Sequence, residues 1–194
     1  MAAGARAFTA ARAIKLKLTG EPDDADRVKF VRAARPEVWL GVDANQGFTR
    51  SSLEHLMPTL IEARVSLIEQ PFKIGQESLL EGFDSPIPVA ADESLQSLRD
   101  LPALARCVQI VNIKLDKCGG LTEALAMACE ARKLGLGVMV GNMVGTSLAA
   151  GPSFVLGQLC DVVDLDAPLF LTRDREPSIV YRNGEVFSRT PDDV

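Results

Sequence analysis

The sequence predicts an α/β chain: a partial TIM-like (β/α) barrel that closes with a β-hairpin at its C-terminal end. Three observations carry that expectation. Short apolar runs end in charged residues at near-even intervals, with Lys17, Asp43, Glu69, Asp92 and Lys114 following one another every 22 to 26 residues. Asp164 comes 50 residues later, the span of about two further units. A strand, a helix and their loops take about 30 residues in such barrels, which keep their active sites at the C-terminal ends of the strands. The runs themselves are short and continuously apolar, as suits parallel strands buried on both faces by helices.

The elements follow in order. Residues 13–18, AIKLKL, read as a strand, and residues 23–35 as a helix with Asp23 or Asp24 near its cap. Strands are expected at 38–42, 66–68, 89–91, 110–113, 137–140 and 162–165. Between them, helices are expected from Ser51 or Ser52 to Ala63, over 76–81, within 94–106, over 120–134 and over 146–159. That gives seven strands in series. The tail changes character: SIVYRNGEVFS alternates around Asn183-Gly184, a strong two-residue hairpin signal. The expected organisation is a barrel portion over 1–170 and a tail with the hairpin over 171–194.

Composition narrows the function classes. The chain has 194 residues, 47% hydrophobic and 24% charged, which is globular rather than disordered. A net charge of −5 without a Lys/Arg cluster recommends neither nucleic acid nor an anionic membrane as partner. Cys107, Cys118, Cys129 and Cys160 show no CxxC spacing and read as buried free thiols of a reducing compartment. The opening MAAGARAFTAARAIKLK has no long apolar core of the signal-peptide kind, so a cytoplasmic location is the expectation. His55 is the only histidine and falls mid-helix, which excludes a His-rich zinc site.

The charged strand ends are the candidate chemistry. Asp43, Glu69 and Asp92 would bring hard oxygen ligands from three neighbouring strands, a set that suits Mg²⁺. The alternative is three unrelated acids, each capping a helix or pairing with an arginine. Lys15 and Lys17 alternate with Ile14, Leu16 and Leu18, so both lysines share one face of their strand. Lysines on an exposed edge strand are the plainer reading of that pair. Lys114 ends a later strand in the same manner, whereas Lys117, beyond the strand, reads as a loop or surface residue.

The motifs K-L-K (15–17), V-D-A-N-Q (42–46), I-E-Q-P (68–71), A-D-E-S (91–94), N-I-K-L-D-K-C-G-G (112–120) and D-L-D-A-P (164–168) occur in an order that resembles the enolase superfamily. The match, over roughly residues 13 to 170, is most similar to the muconate-lactonizing branch and, within it, to dipeptide epimerases of the L-Ala-D/L-Glu type. The resemblance implies a barrel of the enolase C-terminal type in which Asp43, Glu69 and Asp92 bind Mg²⁺, with Mn²⁺ able to substitute. It implies that Lys17 and Lys114 exchange the α-proton of a dipeptide from opposite faces, with Lys15 near the substrate carboxylate. Asp164 and Asp166 match the pair that holds the free ammonium of the dipeptide, and Asn142 matches a substrate-contacting position in G-N-M-V-G-T-S (141–147). Relatives of this kind also carry a first barrel strand and an N-terminal capping domain; the motif series begins after both. An open edge of that kind leads us to expect a homo-oligomer. Same-fold rivals are N-acylamino acid racemase and o-succinylbenzoate synthase, against which D-L-D argues because their substrates lack the ammonium. A non-catalytic barrel that binds metal or a partner, and a doubly wound nucleotide-binding fold, are the remaining alternatives.

Overall fold

The computed structural model describes residues 2–188. The chain divides into two units, Met1–Ser94 and Leu95–Val194.

The first unit alternates strands and helices. It runs α1 (Ala2–Ala7), β1 (Ala13–Lys17), α2 (Asp24–Ala34), β2 (Trp39–Asp43), α3 (Arg50–Glu62), β3 (Leu67–Glu69), a 3₁₀ turn over Glu77–Leu80, and β4 (Val89–Ala91). All strand pairs are parallel, in the order β1-β2-β3-β4. Each expected strand is present to within a residue or so at either end. Leu40, Val42, Leu67, Ile68 and Ala90 are almost wholly removed from water, so the strands are covered on both faces.

Parallel register sets the functional row. Lys17 pairs with Asp43 and Asp43 with Glu69, so the last residues of three strands stand side by side. Glu69 pairs with Ala90, which places Asp92 two residues farther along the neighbouring chain and on the same face.

Helix α3 starts one residue before the predicted range, because Thr49 rather than Ser51 caps it. Thr49 Oγ1 accepts the Ser52 amide at 3.1 Å and Ser52 Oγ accepts the Thr49 amide at 2.9 Å, a reciprocal capping box. Asp24 does something other than cap. Its buried carboxylate accepts the amides of Thr19 at 3.0 Å and Gly20 at 2.8 Å and pairs with Arg27 at 2.7 Å, which fixes the loop after Lys17. Two arginines tie down carbonyls. Arg32 donates to Ala63 O at 2.6 Å and Val38 O at 2.9 Å, satisfying the end of α3 and the approach to β2. Arg35, itself buried, donates to the carbonyls of Phe8 at 2.5 Å and Ala11 at 2.6 Å and so holds the segment after α1.

The second unit continues the rhythm. It contains a 3₁₀ turn over Leu98–Asp100, α4 (Leu101–Leu104), β5 (Ile110–Lys114), α5 (Leu115–Cys118), α6 (Leu121–Lys133), β6 (Gly137–Gly141), α7 (Ser147–Gly157), β7 (Val162–Asp164), a 3₁₀ turn over Ala167–Phe170, and the hairpin β8 (Val180–Arg182) and β9 (Glu185–Phe187). Strands β5, β6 and β7 are parallel neighbours in that order. Their register sets Lys114 beside Gly141 and Gly141 beside Asp164, a second row of strand ends. The helix expected within 94–106 shrinks to a single turn. Ser97 and Asp100 cap a 3₁₀ turn ahead of it, and Pro102 sits in its first turn.

Strand β7 differs from β5 and β6 in exposure, with Val163 44% accessible where Val111, Val138 and Val140 are fully buried. The hairpin forms as the sequence predicts, with Asn183 and Gly184 both at positive φ (55° and 75°), the requirement of a type I′ turn. The four cysteines are free thiols, but they are not buried: Cys129 is exposed and the other three half-buried. Among the described residues no helix is long and apolar enough to cross a membrane.

Candidate active site

In the first unit the row of strand ends becomes a charged cluster. Asp43 and Glu69 are 0% exposed and Asp92 is 1% exposed, so three carboxylates lie buried on adjacent strands. Both lysines of K-L-K turn toward them. Lys17 Nζ lies 2.5 Å from Asp43 Oδ2, and Lys15 Nζ lies 2.9 Å from Glu69 Oε2 and 3.6 Å from Asp43 Oδ2. Leu16 and Leu18 are buried in the core, as the alternation requires. Lys17 remains 59% exposed and Lys15 18%, so the first ammonium reaches solvent and the second is largely enclosed.

Three carboxylates beside two ammonium groups make a densely charged, largely buried cluster. Burial pushes the Glu69 carboxyl up to about 7; Lys15 pulls it back, while the charges of Asp43 and Asp92 add to the rise. The donor chemistry fits a hard divalent cation, which would relieve the mutual repulsion of the acids. As the side chains stand, positive charge comes from the lysines instead. Among the described residues no three carboxylate, imidazole or thiol groups are gathered closely enough to hold an ion.

Backbone geometry presents these acids. Gln70, directly after Glu69, adopts φ 37° and is itself buried. Its side-chain Oε1 accepts the amides of Asp92 at 2.8 Å and Ser94 at 3.2 Å, while its Nε2 donates to Phe72 O at 2.9 Å and Ser94 Oγ at 2.7 Å. Ser94 Oγ in turn bonds Glu77 Oε1 at 2.5 Å. The I-E-Q-P and A-D-E-S motifs are thus joined through one amide side chain. Sequence reasoning gave Gln70 no role, although its place next to Glu69 in the motif was the available signal. Asp43 Oδ1 accepts the Asn45 amide at 2.9 Å, and Asn45 Nδ2 donates to Glu93 at 3.3 Å.

The second unit carries the remaining predicted residues. Lys114 ends β5 beside Gly141, and a Cβ at 141 would stand 3.0 Å from both Lys114 Cε and Asn112 Oδ1. Glycine there leaves room for the lysine stem. Asn142 follows β6, half-buried, and its buried Nδ2 has no hydrogen-bond partner among the described residues. Asp164 ends β7 half-buried, and Asp166 is exposed at the N-cap of the following 3₁₀ turn, where its side chain makes no capping bond. Lys117 lies in the short helix α5 rather than in a loop, and reaches back to Asn112 O at 3.1 Å. His55 is an exposed residue within α3, the mid-helix place its sequence context gives it.

A family model described as enolase C-terminal domain-like matches residues 1–186. The chain belongs to the enolase C-terminal domain-like family. Among curated relatives, an N-acetyl-D-glutamate racemase of Pseudoalteromonas sp. is 42% identical over 173 residues, which is 89% of this chain and 55% of the relative. The L-Ala-D/L-Glu epimerase of Escherichia coli K12 is 39% identical over 176 residues, 91% of this chain and 54% of the relative. Among solved structures, an enolase family member of Agrobacterium tumefaciens with homology to dipeptide epimerases, holding sodium and L-Ala-L-Glu, superposes with TM-score 0.93 at 41% identity. It covers 98% of this chain and 58% of the other. A dipeptide epimerase of Methylococcus capsulatus complexed with Mg and L-Arg-D-Lys has TM-score 0.88 at 31% identity, over 95% of this chain and 55% of that one. The chain spans about half the length of the curated relatives it matches.

Proposed function

We propose that this chain is the catalytic portion of a Mg²⁺-dependent epimerase of dipeptides of the L-Ala-D/L-Glu type. The observation that carries the reading is the convergence of Lys15 and Lys17 on Asp43 and Glu69, with Asp92 beside them, at the C-terminal ends of consecutive parallel strands. A proton α to a carboxylate is a very weak acid, so its removal needs strong stabilisation of the enolate. Mg²⁺ held by Asp43, Glu69 and Asp92, with Mn²⁺ as a substitute, would supply that stabilisation at the substrate carboxylate. Lys15 orients the same carboxylate. Lys17 and Lys114 act as the two proton carriers, one removing the proton and the other returning it to the opposite face of the carbon. Asn142 donates its buried amide hydrogens to the substrate, and Asp164 with Asp166 holds the free ammonium of the dipeptide. Support also comes from relatives that carry dipeptide epimerase names at 37 to 39% identity.

A second reading has its own observation. The Pseudoalteromonas relative, at 42% identity, is a racemase of an N-acylated amino acid rather than of a dipeptide. The D-L-D pair favours the dipeptide, because two carboxylates attract an ammonium strongly, whereas a neutral N-acyl amide offers no such charge and turns a carbonyl oxygen toward them. The experiment is proton exchange in D₂O with Mg²⁺, followed by NMR at the glutamyl Cα–H. L-Ala-L-Glu should lose that signal and yield the L,D-diastereomer. Exchange of N-acetylglutamate alone would favour the second reading. Mg²⁺ binding without exchange of either substrate would favour a non-catalytic barrel.

A further inference from the structure

The C-terminal hairpin is the one predicted motif that the reaction leaves unused, yet it is fastened to both substrate-side loops of its own unit. At one end, Asp174 Oδ1 accepts the Ser147 amide at 2.8 Å and Asp174 Oδ2 accepts the Ser147 hydroxyl. The same hydroxyl oxygen accepts the Ile179 amide at 2.8 Å. Ser147 is the first residue of α7, directly after the loop that carries Asn142. At the other end, the Tyr181 hydroxyl on β8 donates to the carbonyl of Leu165. Leu165 stands between Asp164 and Asp166, and its own side chain is buried.

That bond falls on a particular peptide. The Leu165 carbonyl and the Asp166 nitrogen share one rigid amide plane. A donor fixed on the oxygen therefore sets the direction in which the Asp166 backbone leaves β7. Tyr181 is half-buried, and its phenol is pushed upward by burial and by the nearby charges of Asp166 and Asp174, so it remains a proton donor throughout the neutral range.

We propose that Tyr181 is a positioning residue: through the Leu165 carbonyl it sets the spacing of Asp164 and Asp166 for a ligand ammonium group, and so gives the site its preference for free-amine dipeptides over N-acylated ones. This rests on the reading of Asp164 and Asp166 as the amine-binding pair. The hairpin then belongs to specificity rather than to proton transfer. Asp174 and Ser147 complete the brace by anchoring the strand that bears Tyr181.

The test is calorimetry on the full chain with Mg²⁺, comparing L-Ala-L-Glu with its N-acetyl derivative. The native chain should prefer the free amine, and Asp166→Asn should abolish that preference. Tyr181→Phe keeps the ring and removes only the hydroxyl. It should lower the preference roughly fivefold, the scale of one neutral hydrogen bond, with Mg²⁺ affinity and N-acetyl dipeptide affinity unchanged. Asp174→Asn, which loosens the anchor at Ser147, should move the preference in the same direction and serves if Tyr181→Phe does not fold. A preference retained in Tyr181→Phe, alongside its loss in Asp166→Asn, overturns the role of Tyr181 and leaves the amine-binding pair standing. A native chain without any preference, or a preference that survives Asp166→Asn, overturns both.

Discussion

Gln70 holds Asp92 by its backbone: one side-chain oxygen accepts the Asp92 amide at 2.8 Å and the Ser94 amide at 3.2 Å, two residues apart. Because Gln70 follows Glu69 directly, a single residue couples the ends of β3 and β4. Gln70→Ala leaves two amides without that acceptor in a largely buried setting. The expected cost is about 2 kcal/mol of stability, read from urea unfolding. Groups that orient metal ligands typically govern affinity by roughly ten- to a hundredfold, so Mg²⁺ binding should weaken on that scale. A variant with native Mg²⁺ affinity would show that Asp92 is placed by the strand alone.

The buried acids give a second prediction. Titration with Mg²⁺ should reveal one site, lost in Asp43→Asn and in Glu69→Gln. Lys15 offers a check of opposite sign. Its ammonium lies 2.9 Å from Glu69 and 3.6 Å from Asp43, where it repels an incoming cation. Lys15→Met should therefore bind Mg²⁺ more tightly than the native chain, even as it loses the contact proposed for the substrate carboxylate. Unaltered Mg²⁺ binding in both acid variants would remove the metal assignment.

What was legible in the sequence follows from the physics of each residue. The strand ends were readable because Asp43, Glu69 and Lys114 each place a charge directly after a short apolar run. The shared face of Lys15 and Lys17 was readable because strand alternation has a period of two. Gln70 and Tyr181 were not readable in this way. Each acts through a bond to the backbone of a residue distant in sequence, 22 positions for Asp92 and 16 for Leu165, and no local pattern encodes such a partner. Helix α1 went unpredicted because part of its hold comes from Arg35, which reaches back from beyond β1 to the Ala5 carbonyl at 3.2 Å. The cysteines are not buried as the sequence reading expects: Cys129 is exposed and the other three are half-buried.

Thiol chemistry supplies a third prediction with a pH sign. Burial pushes the Cys160 thiol up to about 11, with Arg132 opposing the rise and Asp161 adding to it. Only the thiolate is nucleophilic, so at pH 8 about one part in a thousand of Cys160 is reactive. Its alkylation rate should climb about tenfold per pH unit between pH 8 and 10, because the thiolate fraction grows in that proportion below the pKa. Exposed Cys129 should be modified first at pH 8. Peptide mapping after timed iodoacetamide treatment separates the two, and equal rates at pH 8 would contradict the raised thiol.

The last prediction concerns the two lysines. Lys17 ends the first strand of the series in register with Asp43, and Lys114 ends the fifth in register with Gly141, whose missing Cβ leaves space for the lysine stem. If each serves one face of the substrate carbon, each epimer depends on a different lysine for loss of its proton. In D₂O with Mg²⁺, Lys17→Ala should stop exchange from one diastereomer of Ala-Glu and Lys114→Ala from the other, while either change stops net epimerisation. Gly141→Ala should resemble Lys114→Ala, since the added methyl would crowd Lys114 Cε at 3.0 Å. Exchange from both diastereomers lost in one lysine variant and intact in the other would mean a one-base mechanism, in which the remaining lysine only orients the substrate. NMR resolves these cases within a single experiment, because the two diastereomers give separate Cα–H signals whose decay is followed independently.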